Sequence, residues 1–385
     1  MQAAKKMNRL LHLILHQMIE VRNIVLTQFR NYLFREFNFT NRIVAIYGEN
    51  GSGKTNLLDA LYFLCFTKTY FSKPDAQSTY HGLQGFRIEA GVTKNNELYN
   101  LTCILRENGR KEFLLNGEAY KKFSEHIGKF PCVFIAPDDV KIITEGSEIR
   151  RNFIDTIIAQ LNPAYLRYLI DYKKILDERN SLLKAAAEKN YFDETLLDTL
   201  DEQLVFNGQQ IFTARNEFLH LFLPRVSASY YEIAGAHDAI SLSYFSQLLN
   251  VSFKELLVQN RQRDQFLQRT GSGVHKDDLE IFMHNESFKN MASQGQRKSL
   301  LFALKLAEYN VLKENKKFPP LLLLDDVFEK LDPVRMNNLL HKVCVEENGQ
   351  VFITDTHKER LQQSLQNLDI PFQLIELKSL HTAEV

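Results

Sequence analysis

The run Gly48-Glu49-Asn50-Gly51-Ser52-Gly53-Lys54-Thr55 constrains this chain more than any other stretch. It fits G-x-x-x-x-G-K-[ST] without exception, and it sits where the apolar periodicity changes. Ahead of it, the β-branched segment Ile43-Val44-Ala45-Ile46-Tyr47 reads as a buried strand, and behind it Asn56 to Phe66 has helical spacing. Glycines at these positions leave backbone N–H groups free to wrap phosphate oxygens, and the following helix adds its positive N-terminal end. Lys54 is placed to reach the β- and γ-phosphates and Thr55 to hold Mg²⁺, so ATP with Mg²⁺ is the expected ligand. Such a strand, loop and helix belong to an α/β fold whose ligands sit at the carboxyl ends of parallel strands.

A second constellation completes the first. Leu321-Leu322-Leu323-Leu324 reads as a central parallel strand, and Asp325-Asp326 follows it at once. Asp325 is expected to anchor Mg²⁺ and Asp326 to polarise an attacking water as general base. Between them and the glycine loop, Ala292-Ser293-Gln294-Gly295-Gln296-Arg297-Lys298-Ser299 precedes the helical Leu300 to Leu306. Ser293 is placed as an N-cap, leaving free N–H groups for an anion. The segment resembles the signature of ABC-type ATPases, in which Ser293, Gly295 and Gln296 would contact the γ-phosphate held by the opposite subunit. Leu331-Asp332 then falls at the D-loop position of that class.

The chain has 385 residues, 44% of them apolar, enough for a sizeable core. Few breakers (16 Gly, 9 Pro) point to long helices. No stretch approaches the ~18 apolar residues of a membrane-spanning helix, so no membrane partner is expected. Cys65, Cys103, Cys132 and Cys344 are scattered, as core thiols of a reducing, cytoplasmic compartment would be. Residues 1–17 read as an extension, disordered or preceding the true start, because Met18 opens directly into a strand pattern. A balance of 47 basic against 47 acidic side chains argues superficially against nucleic acid, but binding follows local patches rather than the sum.

Alternation between Phe86 and Lys122, punctuated by Asn95-Asn96, Asn108-Gly109 and Asn116-Gly117, predicts an antiparallel meander. Helical stripes follow: Phe153 to Leu161, stopped at Asn162-Pro163; Leu166 to Leu183; and Leu196 to Leu219, ending before Pro224. The α/β pattern resumes near Thr270. The expected architecture is therefore an α/β P-loop head of ABC ATPase type with an antiparallel β subdomain and an inserted helical arm (lobe II). Its segments are 1–17, the extension; 18–150, the first part of the head; 151–267, the arm; and 268–385, the second part.

In motif order the chain resembles the RecF family of bacterial recombination-repair ATPases, which are related to SMC heads. The resemblance rests on Phe29-Arg30-Asn31-Tyr32, Gly48-Glu49-Asn50-Gly51, Ala136-Pro137-Asp138-Asp139 and Arg150-Arg151-Asn152-Phe153-Ile154-Asp155. His275-Lys276-Asp277-Asp278-Leu279, Ala292-Ser293-Gln294-Gly295-Gln296 and Leu324-Asp325-Asp326-Val327 complete it. The chain departs from the family where Val274 and Lys276 replace the usual Pro and Arg, and where the D-loop reads Glu329-Lys330-Leu331-Asp332. No glutamine marks a Q-loop, for which Ala136 to Asp139 is the expected place, and Thr356 or His357 would be the switch residue.

The resemblance implies a weak DNA-dependent ATPase acting as a switch in DNA repair, replication and the response to DNA damage. ATP would drive a homodimer whose arms close on duplex DNA at a single-strand gap. RecR and RecO would be partners in loading RecA, and hydrolysis would release the clamp. Candidate DNA contacts are Arg150-Arg151, Arg106 with Arg110 and Lys111, Lys121-Lys122, Lys173-Lys174, and Arg261 with Arg263 and Arg269. A transporter nucleotide-binding subunit and an SMC-like structural chromosome protein share the motifs. The first fits the long insert and Asp325-Asp326 poorly, and the insert is short for the second.

Overall fold

The computed structural model describes residues 18–71, 74–189, 193–234, 240–329 and 333–378. The expectations for residues 1–17 and for the D-loop Asp332 lie outside them. The chain divides into two compact units, one from residues up to 139 and from 304 onward, the other spanning 140–303. The second unit is wider at both ends than the 151–267 arm expected from helical patterning, and it takes in Ser293.

In the first unit the β-branched run is strand β3 (Ile43–Tyr47), and it lies inside a five-stranded parallel sheet. Its companions are β8 (Cys132–Ile135), β12 (Leu321–Leu324), β13 (Val351–Asp355) and β14 (Phe372–Glu376). The order is β14-β3-β13-β12-β8, so β13 separates the glycine-loop strand from the Asp325 strand. Strands covered on both faces must be apolar throughout, and β3, β8 and β12 are buried almost end to end. Helix α1 (Lys54–Phe66) springs directly from the loop.

A six-stranded antiparallel sheet forms the rest of this unit. It contains β1 (Ile19–Phe29), β2 (Tyr32–Asn38), β4 (Phe86–Lys94), β5 (Glu97–Leu105), β6 (Lys111–Leu115) and β7 (Glu118–Ala119), in the order β2-β1-β4-β5-β6-β7. The meander read from Phe86 onward is thus joined by the first two strands. Asn95-Asn96 and Asn116-Gly117 take positive φ at both positions, the two-residue hairpin geometry whose twist matches the strands. All four cysteines are free and buried, as core thiols are.

The second unit is mainly helical: α2 (Ser147–Leu161), α3 (Pro163–Lys189), α4 (Glu194–Ala234) and α5 (Phe253–Leu267), with α3 and α4 packed along one another. Asn162 ends α2 and caps α3, its side chain accepting from the Ala164 N–H at 2.9 Å, with Pro163 at the first helical position. The break expected at Pro224 does not occur. An interior proline costs roughly 3 kcal/mol. The buried stripe Leu219, Phe222, Val226 and Tyr230 crosses it, so packing on both sides carries the helix through. A three-stranded antiparallel sheet of β9 (Ile240–Phe245), β10 (Asp278–Met283) and β11 (Glu286–Ser287) is also present, unanticipated from the sequence.

Arginine–aspartate knots hold this unit together. Buried Arg215 donates to Asp155 at 2.9 Å, to Asp277 at 2.7 Å and to the Val274 carbonyl at 2.7 Å. Arg179, wholly buried, donates to Asp201 at 2.6 Å, to Asp264 at 2.8 Å and to Thr270 at 2.8 Å.

Candidate nucleotide site

The loop after β3 takes the conformation its glycines allow. Gly51 and Gly53 have φ of +82° and +106°, and a Cβ on Gly53 would stand 2.6 Å from the Tyr32 hydroxyl oxygen. The hairpin between β1 and β2 presses against this point. Tyr32 donates its hydroxyl to the Gly53 carbonyl at 2.9 Å, and Asn56 of α1 donates to the Asn31 side chain at 2.8 Å. Arg30, one residue before, donates to the fully buried Asp59 of α1 at 2.7 Å. The Phe29-Arg30-Asn31-Tyr32 motif therefore braces the loop and the helix behind it. The Lys54 side chain is buried and folds back on the loop, donating to the Gly48 and Glu49 carbonyls at 2.8 and 3.1 Å.

A helix start and two strand ends meet on one carboxylate. The Thr55 hydroxyl, in the first turn of α1, donates to the two Asp325 oxygens at 2.8 and 3.1 Å. Thr354, near the end of β13, donates to Asp325 Oδ1 at 2.8 Å. The same threonine oxygen accepts the Asp326 N–H at 2.9 Å, holding Asp326 at φ +43°. Burial pushes the Asp325 carboxyl up to about 6; the hydrogen bonds from Thr354 and Thr55 oppose the shift, and the Asp326 charge adds to it. Thr354 belongs to none of the motifs visible in the sequence. Thr356 and His357, the expected switch positions, lie beyond it: Thr356 donates to Asp355 at 3.4 Å and the His357 N–H does so at 3.2 Å. Buried Asp355 is also clamped by Arg360.

The Ala136 to Asp139 turn leads to a buried ionic cluster. Asp139 accepts the Ala136 N–H at 2.9 Å and the Tyr70 hydroxyl, and the Lys305 ammonium lies 3.5 Å away. Glu308 is 3.7 Å from the same ammonium. Lys305 and Glu308 belong to α6 (Gln294–Lys316), which the signature segment opens. At its start Ser293 and Gln296 form a reciprocal capping pair: the Ser293 hydroxyl accepts the Gln296 N–H at 3.2 Å, and Gln296 accepts the Ser293 N–H at 2.8 Å. Ser293 itself is exposed, and Gly295 beside it is half-buried.

The basic candidates fall into two groups. Arg150 grips Asp278 through two hydrogen bonds at 2.7 and 2.9 Å, and Arg151 donates to the Asp277 carbonyl at 2.6 Å. Lys111 is held by Asp75 at 2.6 Å and by the Thr67 carbonyl at 2.8 Å. Arg106 pairs with Glu112, Lys174 with Glu178, and Arg261 with Asp198 and Asp201. Arg110 is mostly exposed, 3.6 Å from Glu112, and Lys121 and Lys122 are exposed. Among the described residues, no helix is long and apolar enough to cross a membrane.

A parallel sheet carrying this loop and aspartate pair, joined to an antiparallel sheet and divided in sequence by a largely helical unit, defines a P-loop ATPase head of ABC type. The model of the family described as the RecF/RecN/SMC N terminal domain matches residues 20–374. The DNA replication and repair protein RecF of Flavobacterium johnsoniae is 39% identical over 93% of this chain and 100% of its own. That of Cytophaga hutchinsonii is 38% identical over 88% and 90%. A solved structure of the recombination mediator protein RecF-ATPrS in the RecFOR pathway superposes with a TM-score of 0.83 at 29% identity, covering 89% of this chain and 94% of that one. An Smc head domain of Pyrococcus furiosus shares the fold, with a TM-score of 0.52 at 16% identity over 90% and 92% of the two chains. The chain belongs to the RecF family.

Proposed function

We propose that this chain is an ATP-driven clamp on DNA in recombinational repair and replication-fork restart. Two copies engage head to head, with one ATP between Lys54 of one copy and Ser293 of the other at each of two sites. The observation that carries the reading is the convergence of Thr55, Thr354 and the Asp325-Asp326 turn at the mouth of the phosphate loop. A hydroxyl and a carboxylate oxygen 2.8 Å apart are the hard donors Mg²⁺ takes, and a cation there would relieve the buried charge of Asp325. Mg²⁺ held by Thr55 and Asp325 would neutralise charge developing on the phosphoryl group that ATP brings.

The chain's own groups do the rest. Backbone N–H groups of Gly51 to Thr55 and the N-terminus of α1 cradle the phosphates, and the Lys54 ammonium moves from its carbonyls to the terminal phosphate oxygens. Asp326, fixed by its N–H bond to Thr354, accepts the proton of the attacking water. Ser293 and Gly295 of the second copy close the site. Loss of the γ-phosphate removes that bridge and opens the clamp. The relatives' names support a place in DNA replication and repair and in the RecFOR pathway. To these we add DNA at a single-strand gap, RecR and RecO as partners, and action in the cytoplasm.

Sizing the purified protein with ATP or ADP, with and without gapped duplex, tests this. Wild type should dimerise and retain DNA only with ATP. Lys54→Met should lose nucleotide binding, while Ser293→Arg should bind ATP and remain monomeric. A Ser293→Arg protein that dimerises like wild type would show the trans arrangement to be wrong.

A further inference from the structure

Four lysines of the first unit collect far from the phosphate loop, where β8 and β12 begin rather than where the parallel strands end. Lys94 ends β4, Lys129 lies just before β8, and Lys316 and Lys317 come just before β12. The Lys94 ammonium stands over the rings of Phe130 and Phe318, at 5.6 and 5.2 Å from their centroids, and donates to the Lys129 carbonyl at 2.9 Å. The Lys129 ammonium covers the Tyr120 ring at 4.6 Å and donates to its hydroxyl at 3.0 Å. Among the described residues, none of the four has a carboxylate within ion-pairing distance. Glu97, opposite Lys94 in the β4–β5 register, accepts the Tyr99 hydroxyl at 2.6 Å instead.

Gathering like charges costs free energy, and its mark is visible. Burial and the Lys129 charge lower the Lys94 ammonium from its ordinary value, opposed in part by the Glu97 charge, and burial and the Lys94 charge lower that of Lys316. Aromatic faces and a carbonyl hold the Lys94 and Lys129 ammonium groups, and an arriving anion gains from the lysines gathered there. All four are lysines, point charges suited to phosphate contact without the planar fork that reads a base or grips one carboxylate. The surface also continues along the chain: exposed Lys121 and Lys122 directly follow Tyr120, whose ring carries Lys129. Several separate cations match a repeating monoanion better than a single small one.

We propose that Lys94, Lys129, Lys316 and Lys317 form a phosphate-binding surface for a nucleic-acid backbone, at the opposite end of the parallel sheet from the nucleotide loop. The proposal rests on the DNA-binding reading above and names residues for it. Contacts of this kind are independent of sequence and are weakened by salt through counterion release.

The test is the binding of a fluorescent gapped duplex, with ATP, across a salt titration. It compares wild type, a Lys129→Gln/Lys316→Gln/Lys317→Gln variant that leaves Lys94, held by two rings and the Lys129 carbonyl, in place, and a Lys121→Gln/Lys122→Gln variant. Each lysine in contact should contribute about 0.9 to the log–log salt slope and on the order of tenfold in affinity at about 0.1 M salt. The triple variant should therefore bind at least about tenfold more weakly with a shallower slope, while its thermal midpoint and fluorescent-nucleotide binding stay at wild-type values. Unchanged DNA affinity and slope in the triple variant, with wild type binding normally, would overturn this proposal and leave the DNA reading standing. Wild type that binds no duplex at all would overturn both. Polyglutamate that binds wild type as tightly as DNA, with both lost in the triple variant, would assign the surface to an acidic protein segment and overturn the nucleic-acid assignment.

Discussion

At the scale of single residues, Thr354 does what neither sequence motif could do alone. Its hydroxyl donates to Asp325 and accepts from the Asp326 N–H, so one side chain sets both the carboxylate rotamer and the turn that follows it. Replacing it with valine keeps the shape and leaves both partners without their bond. A hydrogen bond to a charged group contributes about 1.5–3 kcal/mol. Thr354→Val should accordingly lower the hydrolysis rate constant by about tenfold to a hundredfold while nucleotide binding without Mg²⁺ stays unchanged. Single-turnover hydrolysis beside nucleotide titration would check this, and Thr354→Ser should restore the rate. Wild-type turnover in the valine variant would remove Thr354 from the mechanism. The loop and the aspartate pair were legible in the sequence because each is a contiguous string. Thr354 was not, because its role depends on β13 lying between β3 and β12, and strand order leaves no mark on any one segment.

Elements show the same division. Strands buried on both faces, hairpins with Asn-Asn or Asn-Gly turns, and the α2–α3 break at Asn162-Pro163 follow from local chemistry and were readable. The passage of α4 through Pro224 was not, since it depends on tertiary burial of Phe222 and Val226 outweighing a local penalty. Strand β9 had an alternating signal in Ile240, Leu242 and Tyr244, but its partner β10 lies beyond a whole helix, and its pattern is short beside the helical stripes around it. Helix α6 holds an element-scale prediction. Burial, reinforced by the Asp139 charge and opposed by Lys305, lifts the Glu308 carboxyl to about 7. Its folded value lies above its unfolded one, so the native state holds the extra proton. The associated stability is full below the unfolded value and is lost as pH rises through about 7. Denaturant titrations at pH 5 and 8 should show wild type losing more stability than Glu308→Gln over that interval. Parallel pH profiles for the two proteins would refute the assignment.

For the whole molecule, 47 basic against 47 acidic side chains turned out to be a sum over charges with different duties. Within the second unit, Arg150, Arg151, Arg179, Arg215 and Arg261 are engaged with Asp155, Asp198, Asp201, Asp264, Asp277 and Asp278. The motifs Arg150-Arg151…Asp155 and Asp277-Asp278, which looked like separate signals in the sequence, are largely partners of one another. That pairing takes Arg150 and Arg151 out of the candidate surface and leaves Lys121, Lys122, Lys129, Lys173, Arg263 and Arg269 exposed to solvent. The two populations must answer salt differently. Charges paired out of water are screened little, whereas exposed charges lose long-range attraction beyond a Debye length of about 10 Å at 0.1 M salt. Wild-type urea unfolding should hence shift only slightly between about 0.05 and 0.5 M NaCl, over a range in which lysine–phosphate contacts would weaken by orders of magnitude. Arg215→Met should cost about 3–5 kcal/mol at either salt, because it strands Asp155 and Asp277 without their shared cation. A variant as stable as wild type, or a wild-type protein whose stability collapses with salt, would place the cohesion of this unit in its apolar packing or in its surface charges instead.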